Sequence, residues 1–149
     1  MPLNIGEDFS FGELDMFAKL MVINRYSQAQ NAGKPRHNLL TLVNETGADA
    51  LVWLVGPLQW APILENKETT SFHVPPGRYY IMLRYGDKSP YQFFRGEEFE
   101  VVETTNSSSS LTITFRQTNE GGYRIHPISE NDFVGVLEKE LKLVTGENA

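Results

Sequence analysis

Cysteine is absent from this chain. Disulfide stapling, thiolate chemistry and cysteine-ligated metals are therefore closed to it. Long apolar runs are missing as well, and none approaches the roughly 18 residues that a membrane-spanning helix needs. The thirteen lysines and arginines are scattered, with no run of three. At a formal charge of -6, that scatter argues against a phosphate-backbone footprint, and no nucleic-acid partner is expected. The start of the chain carries Glu7 and Asp8 where a secretory signal would carry bases. Cytoplasmic residence is the expectation, with export kept open for a chain whose signal has been removed.

Catalytic signatures are equally sparse. Phosphate-loop, dinucleotide and nucleophile-elbow patterns do not occur. His37, His73 and His126 stand far apart and form no local ligand motif, whereas a zinc site needs three or four convergent groups. Ser107 to Ser110 lie in a polar run unsuited to holding a nucleophile beside its base. Adjacent Glu97 and Glu98 face opposite ways in a regular strand, so they cannot act as a carboxylate pair. Asp87 is the single acid of its loop, too few for a calcium site. The reading is non-enzymatic, with no catalytic residue, cofactor or metal.

What the chain does contain is short β-strand signals. The 149 residues, 40% hydrophobic and 21% charged, suffice for one domain with a proper core. From Asn38 the apolar period is two. Leu111, Ile113 and Phe115 alternate with Thr112, Thr114 and Arg116, a half-buried strand. Ala50 to Val55 is apolar on both faces, as a strand covered on both sides must be. The cover is either a terminal helix or a neighbouring subunit. Further strands are expected over Thr69–Val74, Tyr79–Tyr85, Tyr91–Phe94, Glu98–Glu103 and Tyr123–His126, with a short edge piece over Gln59–Ile63. Val74-Pro75-Pro76-Gly77-Arg78 reads as a tight turn between two of them.

Helical signals flank this block. Ser10 and Glu13 fit a capping box, and Leu14, Phe17, Ala18 and Met21 give an apolar stripe that predicts a helix over 11–23. Tyr26 to His37, rich in Gln, Asn, Gly and Pro, reads as a loop. At the other end Phe133, Val136, Leu137, Leu141 and Val144 form a second stripe over 131–144. Ser129 or Asn131 is its N-cap, Gly146 its C-cap, and Glu138 and Lys142 are expected to pair. The expected architecture is mainly β: a small antiparallel β-sandwich of six to eight strands, core about 38–126, with an amphipathic helix at each end.

The order of elements carries a resemblance. Leu42-Val43-Asn44 with Gly47, then Phe72-Val74-Pro75-Pro76-Gly77-Arg78-Tyr79, then Glu97-Phe99-Val101, resemble the opening strand, the Pro-Gly hairpin and the following strand of a known group. These are the transthyretin-like or carboxypeptidase-regulatory-like β-sandwich modules and the related Pro-Glu-Gly-Ala-type repeats. The resemblance covers residues 38–115. It implies an accessory, spacer or assembly role rather than an enzyme, and it supplies no catalytic residue.

The aromatics point to contact. In Tyr79-Tyr80 and Phe93-Phe94, one member of each pair must face away from its neighbour's side of the strand. Such outward rings are covered by a terminal helix, anchor a protein interface, or stack on a sugar. The leading expectation is a non-catalytic module acting by protein–protein contact, as a subunit of a homo-oligomer or larger assembly. The candidate contact residues are Trp53, Trp60, Tyr80, Phe93, Phe94, Phe133, Leu137 and Leu141. The alternative is a carbohydrate- or small-ligand-binding module built on exposed aromatics, with Trp60 beside Gln59 and Gln92. A hydrolase with an unrecognised site stands third.

Overall fold

The structure, a computed structural model, describes residues 15–34, 37–86, 90–102, 110–116 and 123–146. Among the described residues two helices and nine strands run in the order α1 (Met16–Gln30), β1 (Asn38–Glu45), β2 (Ala50–Val55), β3 (Ile63–Leu64), β4 (Thr69–Val74), β5 (Gly77–Tyr85), β6 (Gln92–Gly96), β7 (Phe99–Val101), β8 (Ser110–Arg116), β9 (Ile125–Ile128) and α2 (Glu130–Thr145). The expected β-sandwich with terminal helices is what forms. Its smaller sheet has the order β4-β1-β8, with β1 antiparallel to β4 and parallel to β8. The larger has the order β3-β2-β5-β6-β9, and β7 pairs with the first residues of β5.

Strand β2 shows how the layers are built. Ala50, Val52 and Leu54 enter the core between the sheets, with Leu40, Leu42, Ile81, Leu83, Ile113 and Phe115. The alternate residues Leu51, Trp53 and Val55 enter a second core, with Leu20 and Ile23 of α1 and Phe133, Leu137 and Leu141 of α2. All six residues are buried. The cover that the sequence left open between a helix and a subunit is the chain's own pair of helices. Phe133 sets its ring edge-on to Trp53, with centroids 5.7 Å apart, and tilts against Phe93 at 4.9 Å. Burying Phe133, Leu137 and Leu141 contributes about 1.5–3 kcal/mol each.

Several local expectations are corrected. The Pro75-Pro76 segment does not close a hairpin: β4 pairs with β1 and β5 with β2, so it carries the chain from one sheet to the other. Gly77 takes φ 148, and a Cβ there would meet Pro57 Cγ at 2.5 Å. The Tyr79 hydroxyl donates to the Pro75 carbonyl at 2.7 Å and pins the corner. Strand β9 continues through Pro127, which an edge strand tolerates because one of its sides needs no amide donor.

Helix α1 runs to Gln30, through half of the expected loop, and is capped by Asp15. The Ser10–Glu13 box, Leu14, Asp87 and most of the serine run lie outside the described residues. The buried residues of α1 are Lys19, Leu20, Val22, Ile23 and Ser27, while Phe17 and Met21 are 41% and 40% exposed. Apolar residues occupy two sides of α1, so its period alone does not choose the face that docks. In α2, Ser129 forms the N-terminal capping box with Asp132, and Gly146 takes the left-handed C-cap. Glu138 bonds Lys19 of α1 rather than Lys142, tying the helices together. No helix among the described residues is long and apolar enough to cross a membrane.

Candidate functional site

The two sheets differ in width, and the wider one overhangs beside β8. There a cleft of about 390 Å³ opens between them. Pairing register places Leu83, Phe94 and Pro127 opposite one another across β5, β6 and β9, and Tyr85 opposite Gln92 in the next row. With Ile125 these residues make the wall. Thr46, from the turn after β1, and Arg116, at the end of β8, complete the lining.

Local chemistry fixes most of this wall. Asn44, fully buried, donates to the carbonyls of Ala48 (2.9 Å), Leu64 (2.9 Å) and Glu65 (3.2 Å). Its Oδ1 accepts from Thr46 N at 3.0 Å and Thr46 Oγ1 at 2.7 Å. The turn is thereby locked, and Tyr85 Oη reaches it, donating to the Thr46 carbonyl at 3.2 Å. On the other flank Tyr123 fills the inner face. Its hydroxyl donates to the Glu97 carbonyl and accepts from Ile81 N at 3.1 Å. Burial pushes the Tyr123 phenol well above the ordinary tyrosine range. Gly96 leaves room for that ring, since a Cβ there would collide with it.

Arg116 stands at the mouth. Its Nε donates to Glu45 Oε1 at 3.0 Å, and both side chains are about half exposed, at 50% and 46%. Around the outside of the same strand ends lies a groove of about 300 Å³, which shares Gln92, Phe94 and Pro127 with the cleft. The arrangement, apolar and polar side chains on one lining with a single guanidinium among them, suits reversible binding of a small molecule. Among the described residues, no three His, Asp or Glu side chains come together as a metal cluster would require. His37, His73 and His126 are all exposed, in different elements.

The candidate contact residues are placed differently from the expectation. Trp53, Phe93, Phe133, Leu137 and Leu141 are at most 5% exposed, packed between the larger sheet and the helices. Of these five only Phe93 borders one of the two depressions described, the outer groove, and the others face the interior. Trp60 is partly buried, bridges to Leu54, and sets its ring against Phe72. Gln59 is buried and serves as an internal strut rather than a companion for Trp60 on a sugar. It accepts from Trp53 Nε1 at 3.1 Å and donates to Glu140 at 2.6 Å, while its backbone N–H donates to Ser27 Oγ at 2.7 Å. Tyr80 has the Arg95 guanidinium 4.0 Å over its ring, and its phenol is raised chiefly by burial. Phe94 alone of the eight reaches the cleft.

Arg116, Thr46, Tyr85, Ile125 and Pro127 carried no signal in the sequence as a group. They lie in four separate segments, and only the register of the sheets joins them. Arg116 offered one partial clue, as the charged end of the cleanest alternating strand.

The chain is, in class, a two-sheet β-sandwich backed by a helical layer and opening at one side into a cleft. No family model matches the sequence, and no curated protein matches it. Among solved structures it is similar to pneumolysin at 12% identity and a TM-score of 0.32, over 64% of this chain and 24% of that one. The chain spans about a quarter of pneumolysin's length, and a likeness that low carries no argument about fold or role.

Proposed function

We propose that this chain is a non-catalytic binding module that holds a small amphiphilic ligand in the cleft between its sheets. The observation that carries the reading is the cleft itself, whose volume of about 390 Å³ falls within the ordinary range for ligand pockets. Its lining sets Leu83, Phe94, Ile125 and Pro127 beside the polar side chains of Thr46, Tyr85, Gln92 and Arg116. Titration with a fluorescent naphthalene sulfonate tests the reading. One probe should bind per chain, and Ile125→Trp, which fills the cleft from a partly exposed position, should abolish binding without lowering the melting temperature. Absence of binding, or binding indifferent to Ile125→Trp, would overturn it.

A second reading, contact with another copy of this chain, is favoured by α1. Phe17 and Met21, one turn apart, are about 40% exposed and form an apolar face that the chain does not cover with described residues. Self-association through that face is expected to appear as a dimer mass at low micromolar concentration, reverting to monomer in Phe17→Ser/Met21→Ser. A monomeric wild-type chain would remove this reading and leave the first intact.

A further inference from the structure

We infer that the ligand of the cleft carries a carboxylate, and that this carboxylate takes Arg116 away from Glu45. The inference rests on the cleft being a binding site and adds what the site selects. Arg116 is the single charged residue among the described lining. The single proton of the Thr46 hydroxyl is already engaged by Asn44 Oδ1, with the Ala48 carbonyl as its alternative acceptor, and the Tyr85 hydroxyl donates to the Thr46 carbonyl. Arg116 and Gln92 therefore remain as the cleft's groups for reading a ligand's polar end.

A guanidinium offers five N–H donors in a planar fork that matches a carboxylate bidentately. Its present partner holds it through one atom, Nε, at 3.0 Å. That pair is half exposed, and exposed pairs contribute little, so exchanging one carboxylate for another carries a small penalty. The ligand's carboxylate also brings an apolar body into contact with Leu83, Phe94, Ile125 and Pro127, which the Glu45 side chain does not supply. A cation at the mouth and hydrocarbon behind it favour an acid with a short chain or ring. A neutral alcohol gains only the apolar half, and an amine meets a like charge.

Chemical-shift titration of the intact chain with octanoate, octanol and octylamine separates the possibilities. Octanoate should bind at least tenfold more tightly than octanol, with octylamine weakest. Arg116→Gln should bring octanoate down to the affinity of octanol, and Glu45→Gln should tighten octanoate severalfold by removing its competitor. Equal binding of octanoate and octanol, or octanoate binding unchanged in Arg116→Gln, would overturn the carboxylate inference and leave the cleft standing. Failure of all three probes to shift the cleft residues would overturn both. Each variant alters a half-exposed surface side chain, and its unfolding curve shows whether the fold is kept.

Discussion

Replacing Gln59 with leucine removes both hydrogen-bonding groups of the strut while keeping a side chain of similar bulk. Three contacts converge on this residue, and two of them use the side chain: Trp53 Nε1–H at 3.1 Å and Glu140 Oε1 at 2.6 Å. The indole N–H of Trp53 belongs to a fully buried side chain, and it would be left without an acceptor. An unsatisfied buried donor costs about 1–3 kcal/mol. Glu140 is only partly buried, so water recovers most of its share. The expected loss is about 2–3 kcal/mol, which for a chain of this length lowers the melting temperature by about 4–12 °C. Urea unfolding followed by tryptophan fluorescence measures it. The mechanism is isolated by repeating the substitution in Trp53→Phe, where no N–H exists to be orphaned. There Gln59→Leu should cost at least about 1 kcal/mol less. An equal cost in both backgrounds, or a loss below about 0.5 kcal/mol in the wild type, would refute the strut.

Other substitutions probe the remaining supports. Asn44→Leu strips the side-chain donors from the carbonyls of Ala48, Leu64 and Glu65 and should lower stability by at least about 3 kcal/mol on urea unfolding. Gly77→Ala, at φ 148 and against Pro57, should cost about 1–3 kcal/mol. By contrast Gly135→Ala, in α2 with open space around it, should stabilise by up to about 1 kcal/mol. Alkali tests Tyr123, whose burial in the folded state holds its phenol well above the ordinary tyrosine value of about 10. The unfolded chain gives up this proton first, so the stabilisation is complete below about pH 10 and is lost as pH climbs from there towards the folded value. Tyr123→Phe should flatten that decline in stability; an unchanged alkaline slope would contradict the assignment.

The parts of the fold legible in the sequence are those with a local cause. Period-two alternation located β1, β5 and β8. Apolar residues on both faces of Ala50–Val55 announced a strand sandwiched between layers. The α2 stripe, with Ser129 before it and Gly146 after it, defined a helix whose buried residues are the ones its period selects. What stayed illegible depends on distant pairing. Pro75-Pro76 breaks a strand in any sandwich, and only the partners of β4 and β5 distinguish a hairpin from a crossing between sheets. Helix α1 offered two apolar sides, and the docked one is the side that carries Ser27, whose hydroxyl accepts from the Gln59 N–H across the layer. Gln59 itself looked like a surface amide. The cleft assembles residues from Thr46 to Pro127, a span no short motif bridges. Phe94 was reached by counting rings on strands, an argument that also selected Trp53 and Phe93, now seen to be interior.

The most direct measurement is amide chemical-shift mapping of the isotope-labelled chain during titration with octanoate. The account predicts saturable shifts gathered at Thr46, Leu83, Gln92, Phe94 and Ile125, with α1 unmoved. Shifts that scatter over the surface, or that collect along Phe17 and Met21, would contradict a ligand cleft between the sheets.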